Sequence, residues 1–144
     1  MRVIALLLLT VCLYSAPFQS GYIVTSEFGS MEGKGGARRP EGHQGLDIIP
    51  TEWPFTIYPI LDGVVIEMGQ DPILGKYVIV QHHPGFKTLY AHGAKIFNTA
   101  LVGCLVTTTT PIMIMGRTGW ADGCHLHLET ILNGVRVDPR EYLE

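Results

Sequence analysis

Alternation of apolar and polar positions is clearest in one stretch near the end of this chain. Over His125–Ile131 it puts Leu126 and Leu128 on one face of a strand and His125, His127 and Glu129 on the other. Further β-rich stretches occur at Tyr22–Phe28, Leu46–Ile49, Gly63–Met68, Lys76–Gln81, Phe86–Ala91, Ile112–Met115 and Val135–Val137. Gln70-Asp71-Pro72 and His83-Pro84-Gly85 read as turns between them, and Asn133-Gly134 reads as a hairpin turn. Helical periodicity is nearly absent; Pro139–Glu144 reads as a single helical turn. The pattern predicts a mainly β fold, a compact antiparallel sheet, with no internal repeat, linker or second domain.

Two stretches break the pattern. Gly29–Gly42 is rich in glycine and reads as a surface loop. At the other extreme, Val3–Leu13 is continuously apolar after Met1-Arg2 and ends near the small residues Ser15-Ala16. That run has the length of a secretory core and is short for a bilayer span. Three readings stay open: a cleaved signal, an uncleaved anchor, and a lipoprotein through Cys12, against which stands the bulk of Val11. The expected division is therefore residues 1–20 as signal or anchor and 21–144 as one domain. Export to the envelope, the periplasm or the medium follows, with membrane contact only through an uncleaved N-terminal segment.

Composition narrows the function. At 144 residues, 47% hydrophobic and 16% charged, the chain suits one globular domain. A net charge of −3 supplies no broad basic field for nucleic acid. The few clustered cations, Lys34, Arg38 and Arg39, fall in the glycine-rich loop and read as solvated. Once Cys12 is set aside, Cys104 and Cys124 form an even pair in an exported chain, so a disulfide and two free thiols are both open.

The candidate chemistry lies in two segments. His43 and Asp47 sit among small and apolar neighbours in Gly42-His43-Gln44-Gly45-Leu46-Asp47, and His125 and His127 share a strand face. Imidazole and carboxylate both bind zinc, and a catalytic zinc site takes three protein ligands and leaves one position open. His43, Asp47 and one histidine of the pair would supply three. Cys124 is excluded by alternation, which turns it away from His125. His82 and His83 close an apolar run just before a turn and have no convergent partners, so they read as structural.

The segments His43-Gln-Gly-Leu-Asp47, Leu89-Tyr90-Ala91-His92 and His125-Leu-His127-Leu-Glu129 occur in order. Together they resemble the M23 family of zinc metallopeptidases, the lysostaphin-like group. The flanking Val24-Thr25-Ser26-Glu27-Phe28-Gly29, Asp62-Gly63-Val64-Val65, Gly116-Arg117-Thr118-Gly119 and Val137-Asp138-Pro139 are similar too, and the likeness spans residues 21–144. The resemblance implies a β-sheet groove overhung by loops. It implies Zn2+ held by His43, Asp47 and His127, with His92 and His125 as catalytic groups outside the ligand set. Glu129 is either a partner of a ligand histidine or a surface carboxylate. The implied activity is a metalloendopeptidase acting as a monomer on peptidoglycan peptides. The alternative it carries is a non-catalytic zinc-binding module that regulates other cell-wall hydrolases.

The chain departs from the resembled pattern twice. Val102-Gly103-Cys104-Leu105 and the threonines Thr107–Thr110 replace a Gly-Asp-x-Val-x-x-Gly-Gln-like stretch. They read as an exposed strand edge or loop, and the change is expected to alter a groove wall. Gly93 also follows His92 where leucine is common.

Overall fold

A computed structural model describes residues 13–33 and 39–143. The run expected to direct export, up to Cys12, and the Lys34–Arg38 part of the glycine-rich loop lie outside the described residues.

The described residues form ten strands in one antiparallel sheet. They are β1 (Tyr22–Ser26), β2 (Leu46–Pro50), β3 (Thr56–Ile57), β4 (Gly63–Asp71) and β5 (Gly75–His83), then β6 (Phe86–Ile96), β7 (Leu105–Val106), β8 (Met113–Met115), β9 (Leu126–Leu132) and β10 (Val135–Val137). The path across the sheet is β1-β2-β9-β6-β5-β4-β7, with β10 on β9 and β8 joined to both β6 and β3. The short β3 and β7 carry too few residues to show alternation, and the sequence pattern misses them. Asn133 and Gly134 both adopt positive φ, 50° and 80°, as a tight hairpin turn requires. The expected C-terminal turn is a 3-10 turn at Pro139–Tyr142, capped by Asp138.

Alternation explains the two faces. Leu46 and Ile48 of β2, Leu126 and Leu128 of β9, Tyr90 of β6 and Val78 and Val80 of β5 enter the main core. The intervening positions, Asp47, His127, Glu129, Leu89 and Ala91, turn to the other face. There only a small apolar cluster of Ile79, Leu89 and Ala91 forms. One face is thus committed to burial and the other is left for chemistry.

Polar groups inside the core are satisfied. The Tyr90 hydroxyl accepts from the Ile60 amide at 2.9 Å and shares a hydrogen bond with Thr88 at 3.0 Å. Thr88 in turn meets His82 Nε2 at 2.8 Å, and His82 Nδ1 donates to the Asp62 carbonyl at 2.9 Å. Burial pushes the Tyr90 phenol up to about 12, so it stays neutral. His83 stacks on Phe86. Both histidines are therefore structural, as the sequence suggests.

Four expectations need revision or explanation. Cys104 and Cys124 are free thiols, not a disulfide. The threonine-rich stretch follows the edge strand β7, where Thr107–Thr110 closes a turn and Asp62 caps the Thr108 amide at 3.0 Å. It lies at the far edge of the sheet and forms no groove wall. Gly93 is explained by Met113: a Cβ at 93 would collide with the Met113 Sδ and lie 2.5 Å from its Cγ, so the methionine occupies the room a larger residue would need. Finally, the stretch just before residue 21, read with the N-terminal segment, packs on the body. Phe18 is only 4% exposed within the main core. The Ser15 amide donates to the Ile60 carbonyl at 2.8 Å and the Tyr58 amide to the Pro17 carbonyl at 2.9 Å. Tyr14 stacks edge-on against Phe86 and Tyr142.

Phe18 therefore tests whether this strap belongs to the working fold. Truncating a buried phenylalanine costs about 3–5 kcal/mol. Phe18→Ala should lower the urea-unfolding free energy by that amount; unchanged stability would mean that the folded protein does without the strap.

Candidate metal centre

The sheet register builds the centre. Asp47 on β2 lies directly opposite His127 on β9, and His127 lies opposite Ala91 on β6. Ala91 is small, so no neighbouring side chain competes with the His127 ring. His43 arrives from the loop before β2, one helical-type spacing from Asp47. As a result His43 Nε2, Asp47 Oδ1 and His127 Nδ1 form a triangle with sides of 3.2, 2.8 and 3.1 Å. His125 Nε2 stands 3.6 Å from the same Asp47 oxygen. Asp47 and the three histidines are each less than a tenth exposed.

His92 joins them by a departure from regular strand geometry. Simple alternation would turn it toward the main core, away from Ala91. Between the pairs Val78↔Tyr90 and Lys76↔Gly93, however, β6 carries one residue more than β5. This bulge, with His92 at φ 64°, re-aims the ring to the groove face. A non-glycine residue in that region costs of order 1–3 kcal/mol, and such strain gathers at functional sites. The His92 amide donates to the Leu74 carbonyl at 2.8 Å and holds the bend. Its ring centre then lies 4.9 Å from that of His125 and 5.8 Å from that of His127.

Each imidazole is fixed at its outer nitrogen. His43 Nδ1 donates to the Glu27 carbonyl at 3.0 Å, His92 Nδ1 to the Thr118 carbonyl at 2.8 Å, and His125 Nδ1 to the Gly123 carbonyl at 2.9 Å. His127 donates Nε2–H to the Glu129 carboxylate at 3.1 Å. A nitrogen that donates outward leaves its partner nitrogen as an acceptor inward. All four rings thus aim their inner nitrogens at one small volume, each an electron-pair donor whenever its ring is neutral. Glu129 is 3% exposed and bonded to His127, so it is a buried partner of that histidine and not a surface carboxylate.

The electrostatics favour a cation there. Burial would raise the Asp47 carboxyl, but hydrogen bonds from His127 and His43 hold it well below the usual carboxylate range. Burial would likewise lower His127, yet its bonds to Asp47 and Glu129 carry it up to about 9. The centre therefore draws positive charge even when only a proton is on offer. Two imidazole nitrogens and one carboxylate oxygen are a donor set that suits zinc and related divalent metals, and the three ligand atoms lie close enough to share one ion. His92 differs: burial pushes it down to about 4 despite its bond to Thr118, so it is neutral at ordinary pH. The centre opens into a groove with Ile73, Leu74 and Trp120 on one side and Arg39, Gln44 and Asp122 also lining it.

Sequence reasoning missed two residues that shape this centre. One is Arg136, which reaches Glu129 from β10. The other is Gly45, inside the His43–Asp47 segment. A Cβ on Gly45 would lie 2.5 Å from the Leu128 carbonyl and 2.8 Å from His127 Cε1. The signal was a glycine between two ligand candidates, where only a bare backbone lets the ring approach.

Comparisons with known proteins agree with this geometry. Residues 41–139 match peptidase family M23. The chain is 33% identical to the peptidoglycan DD-endopeptidase ShyA of Vibrio cholerae over 123 residues, 85% of this chain and 28% of ShyA. It is 30% identical over 86% of its length to an uncharacterized metalloprotease of Buchnera aphidicola, and spans 32% of that protein. The chain thus covers a third or less of the length of these relatives. Its fold superposes on a zinc-containing peptidase of Vibrio cholerae with a TM-score of 0.73 at 30% identity, over 88% of this chain and 39% of the other.

Two outcomes test the centre as a metal site. Gly45→Ala should displace the His127 ring and weaken binding of a divalent metal about tenfold or more, as disturbance of a ligand's surroundings does. Competition with a chelator of known affinity measures this, and unchanged affinity would clear Gly45 of the role. Below about 9 metal uptake should also release a proton from His127, because both seek Nδ1. Apparent affinity should therefore rise with pH up to that value; a flat profile would separate metal binding from His127.

Proposed function

The chain belongs to the M23 family of zinc metallopeptidases, and we propose that it hydrolyses peptide bonds in bacterial peptidoglycan, with zinc held by His43, Asp47 and His127. The observation that carries this reading is the convergence of five groups on one point. Three have ligand atoms close enough to share one ion, and two imidazoles, His92 and His125, stand beside them with their Nδ1 atoms engaged elsewhere. A site built only to bind metal has no need of the second pair. Substrate class is supported by the activity named for ShyA. Export is supported by the apolar start of the chain. All five groups come from one chain, which supports action as a monomer.

His43, Asp47 and His127 would hold the zinc, which would supply Lewis acidity toward a carbonyl and toward a water molecule. The remaining work falls to the protein. His125 Nε2 lies nearest the ligand triangle and accepts a proton there, while the Gly123 carbonyl keeps its Nδ1 protonated and its ring oriented. His92 is neutral with Nδ1–H committed to Thr118, so its Nε2 also begins as an acceptor and not as a donor to an oxyanion. Whichever imidazole takes the proton can return it from the same nitrogen to the departing amine. Ile73, Leu74 and Trp120 offer apolar surface along the groove.

The decisive experiment measures zinc content and release of peptides from purified peptidoglycan on the same samples. His43→Ala, Asp47→Ala and His127→Ala should lose both. His92→Ala and His125→Ala should keep zinc and lose about 10²- to 10⁴-fold in rate, the usual contribution of a general acid–base group. Because His92 is already neutral above about 4, the acid limb of kcat/KM above that pH should keep its midpoint in His92→Ala. Zinc uptake without any hydrolysis by the unaltered protein would overturn catalysis and support the regulatory module instead.

A further inference from the structure

His127 differs from the other three histidines in what fixes its outer nitrogen. His43, His92 and His125 donate to backbone carbonyls, which the fold holds in place. His127 donates to a side-chain carboxylate, which must itself be held. Among the described residues one other group holds it: Arg136 Nε donates to Glu129 Oε2 at 2.7 Å, while Glu129 Oε1 faces His127 Nε2. The Glu129 side chain is 5% exposed and the Arg136 side chain 45%, so the arginine reaches inward from the surface to a buried group.

The hairpin makes this reach possible. The Asn133-Gly134 turn sets Arg136 directly opposite Ile131. Glu129 is then its diagonal neighbour on the same face, within reach of a long side chain. We propose that Arg136 is a positioning residue for the metal. By clamping the Glu129 carboxylate against His127 it fixes the tautomer and ring angle that present Nδ1 to the ion. A chain of three side chains thereby links a surface arginine on the hairpin to the centre. Guanidinium holds a carboxylate in a directed geometry that an ammonium reproduces only in part.

This inference rests on zinc binding by His127, as proposed above. Its test is the zinc dissociation constant of the full chain, read by chelator competition, beside the thermal midpoint of the zinc-free protein. Arg136→Met should weaken zinc about 10- to 100-fold, the range for loss of a ligand's hydrogen-bonded partner. Arg136→Lys should recover part of that loss and serves where Arg136→Met folds poorly. Glu129→Gln should weaken zinc similarly, and adding Arg136→Met to it should cost little more, because the arginine acts through the carboxylate. A lowered zinc-free midpoint with unchanged zinc affinity in both arginine variants would make Arg136 merely structural and overturn the inference. Losses that add fully in the double variant would overturn it too. Absence of zinc binding by the unaltered protein would instead remove the reading on which it rests.

Discussion

The outward hydrogen bond of each imidazole is the constraint on which the centre depends. A free histidine exchanges tautomers and rotates; one whose outer N–H is held can do neither cheaply. In this fold four rings are held in that way, by Glu27, Thr118, Gly123 and Glu129. Their inner nitrogens then have no choice but to converge. The cost is a crowd of buried polar groups in a low-dielectric place. It is offset because every one of those groups has a partner.

The sheet supplies the precision that such convergence needs. β2, β9 and β6 lie side by side in the centre of the sheet, so Asp47, His127 and Ala91 form one row. Leu46, Ile48, Leu126 and Leu128 anchor the same strands from beneath, in the main core. Sliding either strand by one residue would send the leucines to the groove and Asp47 or His127 into the core. Burial of the apolar face thus enforces the register of the polar one. The hydrophobic effect, which has no direction of its own, becomes a positioning force for Asp47 and His127.

This coupling explains what the sequence could reveal. Where a strand is regular, alternation reads correctly. Leu126 and Leu128 fall on one face, and His125, His127 and Glu129 on the other. Where the backbone departs from the regular pattern, the reading has nothing to work on. His92 reaches the groove only through the bulge in β6, and alternation alone would have turned it to the core. The resemblance to a known family supplied His92 where periodicity could not. Arg136 and Gly45 were illegible for a different reason. Their roles depend on contact with a residue far along the chain, Glu129 through the hairpin and His127 across the sheet. The strap before residue 21 was hidden by its neighbour: an apolar run of export type drew Phe18 into its own explanation, although Phe18 fills the main core.

The two imidazoles outside the triangle are not equivalent, and their difference follows from where they stand. His125 touches the charge of the centre directly, 3.6 Å from Asp47 Oδ1. His92 is held farther back by the Leu74 and Thr118 carbonyls, and burial depresses its basicity to about 4. A base so weak takes a proton only from something strongly acidic, and once charged it gives the proton up readily. Both rings are pinned through backbone carbonyls, so the fold sets their distances from Asp47 without needing either of them to move.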